Sequence, residues 1–419
     1  MKIIFTYKFK QTLIASSLIN AIFICVVISI FCSCLVLVSH YQNVLNNQLY
    51  LQEDLINNNN SSLNYFISNV ESIPYDKINE LNLFDDEIPS YIQKKNWGFY
   101  DVLVCKTIFK NDTIHKTVLV GEKNTNGDNL ALYTTNYDKP LKLAGKTKIL
   151  GQIRIPNGHI EQAYINGQKG NNIKLLGPQL KSGKNLPKID KRITTDILNF
   201  KPISLNRIDR QTIFFNGFDQ TTKVIDLSGI SKLGDITCKG NIILLSKNKL
   251  EIGKTAHLQD VLIMAPEVYI STGFKGSLQI FAKQKVDIEK GVSLLYPSSI
   301  YIKNDMDSVS VAIRENSKII GGIVVDGTTY QGSLKRLLKI DENATVIGNV
   351  YCYGSIQLQG SVIGNVYADR FYLQTKSSNY ENVILNGTIN RDSLPKKFIG
   401  LSLFKNIFDK KKYAVIKEF

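Results

Sequence analysis

Val346-Ile347-Gly348-Asn349-Val350-Tyr351 returns 16 residues later as Val362-Ile363-Gly364-Asn365-Val366-Tyr367. A unit this short holds one strand, a glycine corner and another strand. It cannot bury an apolar face alone, so each copy must stack on the next. Weaker echoes flank the pair, Ile320-Gly321-Gly322-Ile323-Val324 before it and Ile384-Leu385-Asn386-Gly387-Thr388-Ile389 after it. The pattern predicts a coiled stack of parallel strands, a β-solenoid, in the C-terminal half.

The same pattern extends backwards. From Lys223 a series of short apolar strands runs through Val224–Leu227, Asn241–Leu245, Lys249–Ile252, Val261–Met264, Val268–Ile270, Leu278–Phe281 and Val286–Ile288. Parallel strands need a crossover, and in a coil the rest of each turn supplies it. Residues 223–392 are therefore read as the main coil. A shorter coil is expected at 138–180, where Leu141, Leu143, Ile149, Ile153 and Ile155 alternate and Gly145 and Gly151 mark corners. Between them, 181–222 is basic and punctuated by proline, an insertion or hinge with room for one helix at Asp190–Phe200.

Leu13–Val38 has no charged residue. As a helix its 26 residues extend ~39 Å, more than a hydrocarbon core. Sixteen of them are Leu, Ile, Val or Phe, which together favour insertion by roughly 5 to 10 kcal/mol. A cleaved signal peptide would have a shorter core and an Ala-x-Ala-like site, which is absent. Lys2, Lys8 and Lys10 precede the segment and the first acids follow it. Residues 1–12 are thus expected in the cytoplasm, 13–38 in the inner (cell) membrane and the rest in a periplasmic or extracellular space.

Within 39–137 the sequence predicts a helical stalk, His40 to about Ser72, interrupted by the polar run Asn57–Ser62. A small α+β region follows, with a hairpin from Asn96 to Val120 that turns at Asn111-Asp112. The tail, 393–419, carries Phe398, Leu401, Phe404, Ile407 and Phe408 at three-to-four spacing. That spacing predicts a helix capping the open end of the coil. Six cysteines without a Cys-x-x-Cys pair read as small buried residues rather than a disulfide framework.

Residues 318–390 resemble the bactofilins, bacterial polymer-forming proteins built on a right-handed β-helix. The likeness rests on Ala344–Val350, Gly354–Val366 and Phe371–Gln374, where Gly-x-Val corners alternate with short strands. It covers about 70 residues of 419. It implies a mainly β chain with a right-handed parallel β-helix, and with it a capacity for self-assembly.

Chemistry is harder to find. Asp226, Glu251, Asp287 and Glu289 lie on or beside strands at unrelated phases, unlike the converging carboxylates of sugar hydrolases. Val350, Ile356 and Val362 recur every six residues, as in hexapeptide acyltransferases, but His40, His115, His159 and His257 all fall outside the repeats. Gly145–Thr147 and Gly253–Thr255 lack the distal glycine of a phosphate-binding loop, and Asn304–Ser308 lacks the glycine and glutamate of a calcium loop. Asp190, Asp196 and Asp209 have no companion His or Cys nearby in sequence. No catalytic, cofactor or metal site is assigned, and the expectation is a protein that is not an enzyme.

Lys and Arg number 51 against 36 Asp and Glu, and only three of the bases precede the apolar segment. A basic outward domain faces anionic glycans or peptidoglycan before nucleic acid, for which no motif appears. The expected function is a membrane-anchored scaffold of the bacterial envelope, assembling with itself or other envelope proteins. A glycan- or wall-binding adhesin-like module is the alternative. A pilin-like component, whose leader signature is missing, and a polysaccharide-active enzyme stand behind both.

Overall fold

The computed structural model describes residues 16–84, 88–123, 129–170, 173–190, 203–204, 212–304, 308–327, 336–404 and 412–419. The protein is mainly β, with one long apolar helix at its N-terminal side.

Helix α1 runs unbroken over Ser16–Ser68, 53 residues or ~80 Å. From Leu18 to Val38 its large apolar side chains, Val27 apart, stand exposed, Phe23 by 67% and Val36 by 69%. This part is long and apolar enough to cross a membrane. Its second half does the opposite, burying Leu55, Leu63 and Phe66. The run Asn57–Ser62 does not interrupt the helix. Asn58 donates to the Ile88 carbonyl at 2.9 Å and Asn59 to Thr107 Oγ1 at 3.0 Å, so these buried amides hold the helix to a sheet.

That sheet is antiparallel: β1 (Ile78–Leu81), β2 (Ser90–Trp97), β3 (Tyr100–Phe109) and β4 (Asp112–Lys123). Strand alternation divides its residues between two partners. Leu103 and Cys105 on β3, with Val118 and Val120 on β4, pack with Leu63 and Phe66 of α1. Val102, Val104 and Leu119 point the other way, into an aromatic layer shared with the long parallel sheet.

The rest of the chain winds through three parallel ladders. The first joins Thr237, His257, Lys275, Ser293, Lys318, Thr345 and Ser361 at equivalent positions, the central steps being Lys275↔Ser293, Ser293↔Lys318, Lys318↔Thr345 and Thr345↔Ser361. The second stacks Ile263, Ile280, Ile300, Ile323, Val350 and Val366 in register. The third stacks Ile252, Ile270, Ile288, Ile313, Ile340 and Leu358. All these apolar residues point into one continuous core.

Gly348 and Gly364 occupy the same corner on successive turns, and Gly321 precedes them. Their φ angles are +144°, +127° and +149° for Gly321, Gly348 and Gly364. A Cβ there would strike the carbonyl oxygen one turn below: Ser298, Gly321 and Gly348 respectively. Only glycine fits. Gly387 belongs elsewhere, since the register Ser361↔Thr388 puts it at the preceding corner, next to Gly360.

The order of the turns differs from the order of the sequence. Above Ser361 the first ladder continues to Thr388, then Lys148, then Lys174. The second continues from Val366 to Leu132, Ile153 and Gln179, and Val383–Leu385 continues to Lys142–Ala144 and Ile160–Gln162. The segment expected as a separate coil at 138–180 therefore sits on the end of the main one. Leu132, Leu143, Ile149 and Ile153 share its core.

The tail departs from expectation. Ile399–Gly400 and Tyr413–Glu418 add antiparallel strands to β4, and Phe398, Leu401 and Phe404 are not helical. Ile399, Leu401 and Leu403 form a period-two pattern, and all three are buried. The outer turns already receive 141–181, so the tail covers the aromatic layer instead. Ile407 and Phe408, and all of the helix expected at Asp190–Phe200 beyond Asp190 itself, lie outside the described residues.

Candidate functional site

Outward positions of the second ladder carry Phe281, Tyr301, Val324, Tyr351, Tyr367 and Tyr133, an apolar column that the small sheet and the tail cover. Phe99 stacks on Phe281 at 5.9 Å and meets Tyr301 edge-on at 5.6 Å, while Phe404 meets Tyr367 at 4.8 Å. Gln279 clamps the β2–β3 turn: its Nε2 donates to the Trp97 carbonyl at 2.7 Å and its Oε1 accepts from the Phe99 amide at 2.9 Å. The sequence carries a signal for this cover, because Val350-Tyr351 is apolar on both faces of one strand.

Two hollows lie where the small sheet meets its neighbours. The first, about 40 Å³, is lined by Tyr75, Lys94, Tyr100, Asp101, Asp190, Ser402 and Tyr413. That is room for a water or two. Lys94 is 2% exposed. Its Nζ donates to the Val70 carbonyl at 2.9 Å, lies 3.5 Å from Asp101 Oδ2 and sits 4.0 Å from the Tyr75 ring centroid. The Tyr75 hydroxyl donates to Asp101 Oδ1 at 2.9 Å. Burial holds the Tyr100 phenol protonated, well above the ordinary tyrosine range. Asp190 joins this hollow, while Asp196 and Asp209 lie outside the described residues.

The second hollow is an open cleft of about 490 Å³. Gln93, Lys95, Asn96 and Trp97 form one wall, Asp219, Thr221 and Thr222 the other, and Ile243 and Leu262 belong to the coil beneath. Lys95 reaches across to the carbonyls of Phe218, Asp219 and Gln220 at 3.2, 3.4 and 3.1 Å. Desolvation lowers its pKa, against the pull of Asp219 and Asp76. Phe218 lies against Trp97 at 5.0 Å and Phe419 at 4.2 Å, and Lys417 pairs with Asp260. The cleft can hydrogen-bond a polar ligand over an apolar floor. Strand β2 lay beyond the expected hairpin, although its buried phase, Ser90, Ile92 and Lys94, alternates cleanly.

The acids singled out in sequence are tied up locally. Glu251 and Asp287 do share one phase: they flank Tyr269 on a single outward column of the third ladder. Pairing sets that phase through corner lengths, which composition does not reveal. Hydrogen bonds from Lys232 (2.7 Å ion pair) and Ser271 hold Glu251 below the usual carboxylate range. Asp287 binds Arg314 at 3.1 and 3.2 Å and has Lys285 at 3.5 Å. Asp226 is held low by the Ser228 hydroxyl and amide.

Both Gly-Lys-Thr tripeptides are corners, with Thr147 donating to the Ala144 carbonyl at 2.7 Å and Thr255 accepting from the Asp235 amide at 3.1 Å. The Asn304 carbonyl accepts from Arg336 at 3.1 and 2.9 Å, and 305–307 lie outside the described residues. Among the described residues all six cysteines are free; Cys105, Cys238 and Cys352 are buried as expected, whereas Cys25, Cys32 and Cys34 are exposed on the apolar half of α1, and no group of three His, Cys, Asp or Glu is placed to hold a metal ion. No family model matches this chain, and no curated protein or solved structure matches it.

Proposed function

We propose that this chain is a single-pass scaffold of the bacterial cell envelope, carrying an outward, right-handed, bactofilin-like parallel β-helix. The observation that carries the reading is the division of α1. Its first half exposes every large apolar side chain from Leu18 to Val38 except Val27, which is partly exposed, and its second half is packed under the small sheet. Leaving each such side chain in water costs roughly 1.5–3 kcal/mol, which favours an apolar surrounding. The lysines before the segment favour a cytoplasmic N-terminus and an outward C-terminal region.

Parallel ladders around one apolar core, with Glu251 and Asp287 neutralised by neighbouring bases, support a structural role over a catalytic one. Binding of anionic glycans is the second reading, favoured by the uneven distribution of positive charge. A reporter active only outside the cytoplasm, fused after Phe419, should be active, and cytoplasmic activity overturns the orientation. Intact mass of the membrane fraction should include Leu13–Val38. Electron microscopy of the detergent-purified full chain distinguishes filaments from single particles, and single particles alone favour the binding module.

A further inference from the structure

Residues 139–190 contain ten Lys and Arg but two acids, an excess of eight within a chain whose net charge is +15. The fold gathers 148–155, 174–176 and 179–181 of this segment into the outermost turns, while Leu186 and Ile189 return along the aromatic layer. Lys139 and Lys142 are paired, with Glu381 and Glu161. Lys146, Lys148, Arg154, Lys169 and Lys174 are exposed and make no ion pair among the described residues.

Lys148 and Lys174 are direct neighbours on the first ladder, about 4.8 Å apart along the stack. Their exposed phase turns both outward, because the next residues along the two strands, the paired Ile149 and Leu175, face the core. Like charges in such a position repel. Elsewhere the stack matches its charges, as Lys232 with Glu251 on adjacent turns. Arg154 presents a further cation on the second ladder, and Lys169 another on a corner hairpin opposite Tyr164, which is 70% exposed.

We infer that this end of the stack binds a linear polyanionic glycan, through Lys148 and Lys174 with Arg154 and Lys169 around the corner. The cations are spread over two faces and a corner, so a planar lipid surface would meet only some of them, whereas a flexible polymer can follow them all. Single-stranded nucleic acid is held by series of stacked aromatics, and the described residues of the segment offer Tyr164 as a single strongly exposed ring. The preference for a glycan over RNA also rests on the outward location proposed above.

The test uses the full chain in neutral-detergent micelles, with polygalacturonate as probe, uncharged dextran as control, and poly-uridylate and anionic phosphatidylglycerol vesicles as competing arms. Polygalacturonate should bind and dextran should not, with affinity falling as salt rises from about 50 to 300 mM. Lys148→Glu with Lys174→Glu should weaken binding about tenfold or more. Lys239→Glu with Lys275→Glu, the same charge change on lower turns of the same ladder, should leave it within about twofold.

Far-ultraviolet circular dichroism checks folding, and the milder Lys148→Gln with Lys174→Gln serves if the reversal misfolds. Equal loss in both pairs, no loss in the first, or binding to poly-uridylate or vesicles as tight as to polygalacturonate overturns the inference. None of these outcomes touches the orientation, which the reporter fusion reads separately.

Discussion

The turns at 345–374 and the turn that joins 388–390 to 130–144 are built alike but reached differently. Thr345 finds Ser361 16 residues along the chain, whereas Thr388 pairs with Lys148 across roughly 240 residues. Closing the longer loop costs roughly 2 kcal/mol more in chain entropy. Burial of Leu132, Leu143, Ile149 and Ile153 in the shared core offsets it. A stack can thus be completed by strands from the far side of the chain, provided their inward residues match the core below.

The largest expected effect is at the inner corner. Gly364→Val places side-chain atoms on the Gly348 carbonyl at a φ of +149° and should cost roughly 4 kcal/mol or more in urea unfolding. Gly167, in the outer turns at φ +75° with open space around it, should tolerate alanine at about 1 kcal/mol. Similar costs at both would break the distinction between tight inner corners and loose outer ones. Next comes the seam itself. Ile389→Ala removes a fully buried side chain and should cost roughly 2–5 kcal/mol. Hydrogen exchange should speed up at 132–155 as well as at 383–390, and unchanged protection at 132–155 would separate the two segments.

Asn365→Ala should cost roughly 1–2 kcal/mol, because its Nδ2 donates to the buried Leu130 carbonyl at 2.6 Å across the seam. Asn349, its repeat partner, accepts from the Leu401 amide at 3.4 Å and should matter less. The smallest effect is on pH. Burial pushes the Cys238 thiol up from 9.0 to about 12, and partial desolvation with the Asp369 hydrogen bond pushes Tyr137, which is still 42% exposed, up from 10.0 to about 12. Each folded group keeps a proton that the unfolded chain releases, so stability falls as pH rises above the unfolded value. Exchange should quicken in the lower turns from about pH 9, and beside the seam, at Tyr137, about one unit later. Simultaneous onset would show that the two parts open as one.

The sequence reveals what is local. Gly348 and Gly364, the alternating Leu141 to Ile155, and the strands after Lys223 each state their own conformation. It does not reveal that Thr388 meets Lys148, since neither residue differs from any other outward position on a ladder. The tail shows how two periods can compete. Phe398, Leu401 and Phe404 suit a helix, yet Ile399, Leu401 and Leu403 suit a strand, and the uncovered aromatic column decided between them. The pairing of Lys94 with Asp101 is illegible for a related reason: a lysine in the buried phase of a strand acquires meaning only when the neighbouring strand supplies its carboxylate.

Because α1 passes without a hinge from its exposed apolar half to the half fastened by Asn58 and Asn59, the apolar half and the body form one continuous piece. On the proposed anchoring, the protein behaves as a mast stepped in the bilayer rather than a float on a tether. Tilting or rotating the buried shaft would swing the whole outward structure by the same angle. Copies held at one tilt in the same membrane would then differ only in heading about its normal, which narrows the encounter between neighbours to a search in two dimensions.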